Sequence, residues 1–238
     1  MSVSFMEGIP ALLVDEEKLL VAGDLHIGTE FKLRSSGMHF PNASRRMAVQ
    51  LLQAYGRSKA KGIVLLGDVK DSITYPSREE MAAMADFFNT LEGIDLTIVK
   101  GNHDAHIQSI LDRLGYKADV CNELLLEKTA LIHGNALPSA EAMLKERIVS
   151  AHSHIAAEIN GRTEKAWLIA NLSTGAKKFY KGYNRRAKLV IMPAFNELIV
   201  GIRVNSDLEW HMPLIRNGIF TAEKAKVYDL DGDLVGTI

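Results

Sequence analysis

Five short blocks, Asp24-Leu25-His26, Gly67-Asp68-Val69-Lys70-Asp71, Gly101-Asn102-His103-Asp104, Leu131-Ile132-His133-Gly134 and His152-Ser153-His154, punctuate the first two thirds of a 238-residue chain. They gather carboxylates, an amide and imidazoles, the oxygen and nitrogen donors that a pair of divalent cations needs. A two-metal site for phosphoester chemistry requires cations about 3.5–4 Å apart, one ligand that bridges them, and open positions for water and substrate. Asp68 is the candidate bridge: it sits in a tight turn after an apolar run, and the missing side chain of Gly67 would let backbone crowd toward the ions. Asn102 and the histidines would fill the remaining positions. Mixed imidazole and carboxylate ligation suits manganese, iron, zinc or nickel better than calcium, and several nitrogen donors argue against magnesium alone. His152 and His154 would face the same way in a strand but can reach different ions in a turn, so spacing alone leaves their assignment open.

Four of the five blocks directly follow an apolar run that reads as a buried strand, which delivers the polar groups to strand ends, the usual place for a site in a parallel or mixed sheet. Residues 11–14 and 18–22 predict a β-hairpin ending just before Asp24, followed by a polar loop. Apolar residues at helical spacing predict a helix over 42–61, between Pro41 and Gly62. Residues 63–66 and 96–99 read as strands; Ser77 and Glu80 form a capping box opening a helix that reaches about Leu91, and another helix is expected over 105–114. This alternation argues for a predominantly parallel α/β first half.

Beyond it, short strand candidates crowd together at 124–126, 130–132, 148–150, 155–159, 166–169, 188–192 and 198–202, and Asp231-Gly232 marks a terminal hairpin. The combination predicts an α/β (α+β) fold of two mixed sheets packed face to face with helices outside. With no internal repeat or linker-like segment, residues 1–238 read as a single domain.

A formal charge of −1 lacks the global basic excess of a dedicated nucleic-acid binder, so a polyanionic substrate would have to be met by local patches. Cys121 is the sole cysteine, which excludes an intrachain disulfide and fits a reducing compartment. No run reaches membrane-span length, and the N-terminal stretch shows no pattern of a signal peptide. A cytoplasmic enzyme is the expectation.

The ordered blocks resemble the calcineurin-like metallophosphoesterase superfamily, whose pattern runs Asp-x-His, Gly-Asp-x-x-Asp, Gly-Asn-His-Asp/Glu, a lone histidine and Gly-His-x-His. The resemblance covers roughly residues 20–155 and implies a division of labour. One metal would be held by Asp24, His26, Asp68 and His154, the other by Asp68, Asn102, His133 and His152. His103 would sit by the scissile phosphate as proton donor or charge stabiliser, with Asp104 orienting it, while a hydroxide generated on the metals attacks in line. Two departures stand out, Ala151 where glycine is usual and Asn135 after His133-Gly134; neither removes an implied ligand.

Gly23-Asp24-Leu25-His26-Ile27-Gly28 with Arg34, Gly37 and Pro41, and Met192-Pro193-Ala194-Phe195-Asn196, are similar to the branch that includes DNA-ligase-associated phosphoesterases of archaea and bacteria, which implies a manganese-dependent nuclease on DNA or RNA. The stretch from Lys177 to Arg186 interleaves cations with Phe179, Tyr180 and Tyr183, a combination suited to phosphate contact and base stacking; a solvated hairpin is the simpler reading and comes first, since charge clusters are usually wet faces. Lys32, Arg34, Arg45 and Arg46 could line an anionic groove beside the first block. His39, His106 and His211 lie outside the blocks and read as solvated or core histidines, and Asp71 as either support for the ligands or a local backbone cap. Competing expectations are a phosphatase or nucleotide phosphodiesterase for small substrates and, outside enzymes, a metal-binding interaction module; protein partners are left open.

Overall fold

The computed structural model describes residues 3–41, 43–204 and 211–238. In chain order the first half comprises β1 (Val3–Phe5), β2 (Ala11–Val14), β3 (Leu19–Ala22), α1 (Thr29–Ser35), α2 (Ala43–Ser58), β4 (Gly62–Leu66), α3 (Arg78–Thr90), β5 (Asp95–Val99), α4 (Ile107–Leu114) and β6 (Asp119–Cys121). Then follow β7 (Glu123–Leu125), β8 (Thr129–Ile132), β9 (Arg147–Ser150), β10 (Ile155–Ile159), β11 (Arg162–Lys165), β12 (Trp167–Leu172), β13 (Lys188–Ile191), β14 (Ile202–Arg203), α5 (Pro213–Arg216), β15 (Phe220–Tyr228) and β16 (Leu234–Thr237). Strands β1 to β6 form one six-stranded sheet in sequence order, parallel from β3 onward. A seven-stranded sheet runs β16-β15-β12-β13-β9-β8-β7, with β8, β9 and β13 parallel. A small third sheet, β11-β10-β14, was not expected.

Alternation along the central strands explains the layering. In β4, Ile63 and Leu65 join the apolar cluster under α2, α3 and α4, whereas Val64 and Leu66 point into the space between the sheets. In β13, Leu189 and Ile191 face a third cluster shared with β10 and α5, whereas Val190 meets the first sheet. Strands buried on both faces lose the apolar–polar alternation and read as continuous apolar runs. That is why these strands are visible in the sequence, and why the residues just beyond them emerge together along one rim.

Several elements depart from expectation. Thr29–Ser35 is helical rather than a polar loop, because buried Glu30 accepts hydrogen bonds from the Ser44 amide and hydroxyl at 3.0 and 2.6 Å and anchors the segment. Of the expected 198–202 strand only Ile202 pairs, continuing into Arg203; Asn196 Oδ1 accepts the Leu198 N–H at 2.9 Å and bends the preceding chain into a turn instead. The basic-aromatic stretch is not a hairpin but a 3₁₀ turn, Thr174–Lys178, followed by irregular turns. Ser77 caps α3 through the Glu80 N–H, but the Glu80 carboxylate does not complete the box; it accepts from the Asp71 and Ser72 amides. The expected start of α2 at Asn42 lies outside the described residues.

Candidate metal centre

Backbone hydrogen bonds continue past the strand ends and hold the block-bearing loops side by side. Asp24 N–H donates to Gly67 O, His26 N–H to Asp68 O and Ile27 N–H to Val69 O, so the first two blocks extend their parallel pairing. On the other sheet, Ala151 N–H donates to His133 O and Met192 N–H to Ser150 O. Phe195 and Asn196 join the sheets by donating to Gly23 O and Asp24 O. The methyl of Ala151, the departure from the usual glycine, packs between the sheets in the shared core.

This convergence brings the expected donors within reach of one another. Among the described residues three groups have ligand atoms mutually within 4.8 Å: Asp24 with His26 and His154, Asp68 with His133 and His152, and His26 with Asp68 and His103. Asp68 belongs to two of the groups, and His26 Nε2 and His133 Nε2 lie 3.7 and 3.3 Å from its Oδ2. His154 Nε2 is 3.5 Å from Asp24 Oδ1 and 3.3 Å from His26 Nε2, while His152 Nδ1 is 3.2 Å from His133 Nε2. Asn102 Oδ1 stands 3.3 Å from His133 Nε2. The arrangement separates His152 and His154 toward different partners, as a turn allows. His39, His106 and His211 are exposed and outside these groups.

Building this cluster strains the backbone. Asp24, His26, Asp68, His152 and His154 all have positive φ, between 42° and 67°. The left-handed region costs about 1–2 kcal/mol per residue with a side chain, and such strain concentrates at functional sites. Glycines supply the close approaches: a Cβ on Gly67 would lie 2.2 Å from His133 Nδ1, and one on Gly101 equally close to Asp68 Oδ1. Gly67 therefore makes room for the His133 ring rather than for crowding backbone.

The electrostatics fit a cation. Asp24 and Asp68 are almost wholly buried, which is costly for carboxylates without compensating charge. Burial alone would push the His133 imidazole down, but its hydrogen bond with Asp68 and the field of Asp24 outweigh that and raise it to about 9, so this position selects for positive charge. Burial outweighs the field of the aspartates at His26 and His152, lowering both to about 4 and leaving their lone pairs available at neutral pH. His133 Nδ1 lies 3.1 Å from Leu66 O, a partner that orients a ligating ring by accepting its N–H. These donors fit borderline divalent cations.

His103 is pinned differently. Its N–H donates to Asp68 Oδ1 at 2.8 Å, its ring Nδ1 lies 2.6 Å from Asp71 O, and Nε2 is 3.9 Å from Asp68 Oδ2. Asp104 bears on this ring through the main chain. The Asp104 carboxylate accepts the N–H groups of Val69 and Gly101, both at 2.9 Å, tying together the loops that carry Asp68 and Asn102, and a carboxylate committed to amides acts on His103 only through the backbone. Asp71 also backs His26: its Oδ1 accepts from Thr29 Oγ1 and lies 3.7 Å from His26 Nδ1.

Three residues, two of them buried and Lys165 half-buried, escaped sequence reasoning as supports of the site. Asn196 donates from Nδ2 to Leu25 O at 2.8 Å and to His26 O at 3.3 Å, clamping the first block. Lys165 donates to Ala194 O and Asn196 O at 2.5 and 2.7 Å and steadies that clamp. Lys70, fully buried, donates to Thr74 O at 2.7 Å and to Ser72 O. Asn196 had a signal, its place just beyond a buried strand; the lysines had none, because lysine ordinarily marks a wet face. The basic cluster beside the first block is largely paired: Lys32 with Asp71, Arg34 with Glu79 and Arg46 with Glu197.

Among solved structures, the nuclease MPE of Pseudomonas putida superposes with a TM-score of 0.62 over 96% of this chain and 97% of its own, at 16% identity. Yfce, a phosphoesterase from E. coli, matches at a TM-score of 0.43 and 17% identity, covering 92% of this chain and 97% of that one. No curated protein matches. Such identities speak to the fold alone. The family model for calcineurin-like phosphoesterases matches residues 17–196, which contain all five blocks and the Asn196 clamp. The chain belongs to the calcineurin-like phosphoesterase family.

Proposed function

We propose that this protein is a dinuclear metal-dependent phosphodiesterase, with one divalent cation held by Asp24, His26, Asp68 and His154 and the other by Asp68, Asn102, His133 and His152. The single observation carrying the reading is the position of Asp68, whose Oδ2 lies 3.7 Å from His26 Nε2, a member of the Asp24–His154 group, and 3.3 Å from His133 Nε2 in the other. Manganese is the first choice of metal, with zinc, iron or nickel compatible with the same donors. When bound, the cations supply Lewis-acid polarisation of the phosphoryl group and acidify water. The chain's own contribution centres on His103. With Nδ1–H donating to Asp71 O, its protonated Nε2 can give a proton to the departing oxygen; the side chain is 19% exposed, so a substrate can reach it. Asp68 holds the backbone of His103, while Asp104 holds the loops in register.

Nucleic acid is the proposed substrate, acted on by a nuclease. Support comes from the motifs flanking the blocks and from the basic-aromatic stretch, where Phe179 is exposed among lysines. A second reading, hydrolysis of a small phosphoester, is favoured by the ion pairing of Lys32, Arg34 and Arg46, which weakens any anion-attracting groove beside the site. Incubation of manganese-loaded protein with labelled single-stranded and duplex DNA and RNA, beside bis-p-nitrophenyl phosphate and a monoester, separates them. Cleavage of polynucleotide supports the nuclease; turnover of the small esters alone supports the second reading. An inactive protein that still binds metal and a stable partner would instead indicate an interaction module.

A further inference from the structure

At the far end of the seven-stranded sheet from the metal centre, inward-facing positions change from apolar to basic. Trp167 and Tyr228 pair in register on β12 and β15, and Trp167 stacks on Phe5 with ring centroids 4.3 Å apart, closing the space between the sheets. The next rung reads Lys226, Ile169, Val190, Val149, and the one after it Asn171, Lys188, Arg147. Here the sheets part. A cavity of about 660 Å³ opens between Val3 and these rungs, a size typical of small-ligand sites.

Five cations line it, Arg147, Arg186, Lys188, Lys224 and Lys226, against one carboxylate, Glu146. Arg147 is balanced by Glu16 at 3.5 Å and Glu146 at 3.7 Å, and Lys188 donates to the Asn171 side-chain oxygen. Among the described residues, Arg186, Lys224 and Lys226 enter no ion pair. Lys188 and Arg147 are register partners on adjacent parallel strands, so two cations meet on the wall of the cleft with carboxylates only on the Arg147 side. The backbone is also irregular here: pairing slips between Ile169 and Asn171, and Lys224 has φ 61°. Bulges and left-handed side-chain-bearing residues cluster where a fold re-aims side chains for function.

We propose that this cleft is a second anion site, separate from the metal centre, that binds a ligand carrying two or more phosphate groups. The Arg186 guanidinium offers paired donors to one phosphate and the lysines act as point charges for another, while Tyr228 and Ile169 supply an apolar wall and Asn171 and Asn184 supply amides. Arg147 precedes His152 by five positions, so along an extended strand the cleft lies roughly 16 Å from the metal ligands. It cannot share their substrate phosphate. The phosphates could belong to a polynucleotide strand or to a free nucleoside polyphosphate, and the proposal stands whichever substrate the metal centre takes.

The test is calorimetric titration of metal-loaded protein with pyrophosphate, a nucleoside triphosphate and a single-stranded oligonucleotide, using wild type and a Lys188→Gln/Lys226→Gln variant. The variant should bind at least one of these probes tenfold or more weakly while hydrolysing bis-p-nitrophenyl phosphate within twofold of wild type. An oligonucleotide affected most identifies a strand as the ligand; a nucleoside triphosphate affected most identifies a free nucleotide. Equal affinities in both proteins, or loss of small-diester hydrolysis in parallel with binding, would overturn the proposal. Because the substitutions remove like charges from a solvent-reached wall, unchanged thermal stability confirms that the comparison reports binding.

Discussion

Asp68 accepts the backbone N–H of His103 at 2.8 Å, so the carboxylate placed between two groups of metal donors also sets the position of the proposed proton donor. The link runs through the main chain and survives loss of the imidazole. His103→Ala should therefore lower turnover about 10²–10⁴-fold, the range for removing a general acid, with metal content nearly unchanged. Asp68→Ala should lose metal. Elemental analysis beside steady-state rates checks both, and equal metal loss in the two variants would contradict the division of labour.

Asn196 supplies the second prediction. Removing its amide in Asn196→Ala leaves the Leu25 carbonyl without its donor, at a cost of about 1–3 kcal/mol for a buried group, and takes one donor from the His26 carbonyl, which keeps the two of Thr29. Because those carbonyls flank a donor of the first metal group, manganese affinity should fall together with the unfolding midpoint. A metal titration matching wild type would show that the clamp serves the fold only.

The third prediction concerns pH and applies to protein freed of metal. His26 and His152 stay neutral in the folded state down to about 4, whereas unfolded histidine takes up a proton near 6.5. The unfolded chain thus binds more protons between these values, and stability should fall as pH drops from about 6.5 to 4. His133 acts oppositely: raised to about 9, it contributes stability that is fully present below 6.5 and lost as pH climbs toward 9. Denaturant midpoints at pH 5, 6.5 and 8 should be highest at 6.5; a steady rise across all three would contradict these assignments.

What the sequence made legible follows from burial. Strands such as β4 and β13, enclosed on both faces, leave unmistakable apolar runs, and the blocks that follow them converge because the loops continue the same pairing. What it hid depends on contacts between distant residues. The helical state of 29–35 rests on Glu30 reaching Ser44, the Glu80 carboxylate serves the Asp71 loop instead of its own helix, and Lys165 turns from solvent because three carbonyls of residues 194–196 receive it. Strand β15 is hidden in the sequence because Glu223, Lys224 and Lys226 expose charge along it. The contact of the His103 ring with Asp71 O is hidden for a similar reason, since the two residues lie 32 positions apart.

The most direct test of the account is a manganese titration of metal-free protein that records bound metal per chain together with the rate of bis-p-nitrophenyl phosphate hydrolysis. Two donor groups lying on either side of Asp68 predict two bound ions, with hydrolysis appearing as the pair fills and vanishing on chelation. A protein that binds no divalent metal, or that binds it and cleaves no phosphodiester, would contradict the central claim.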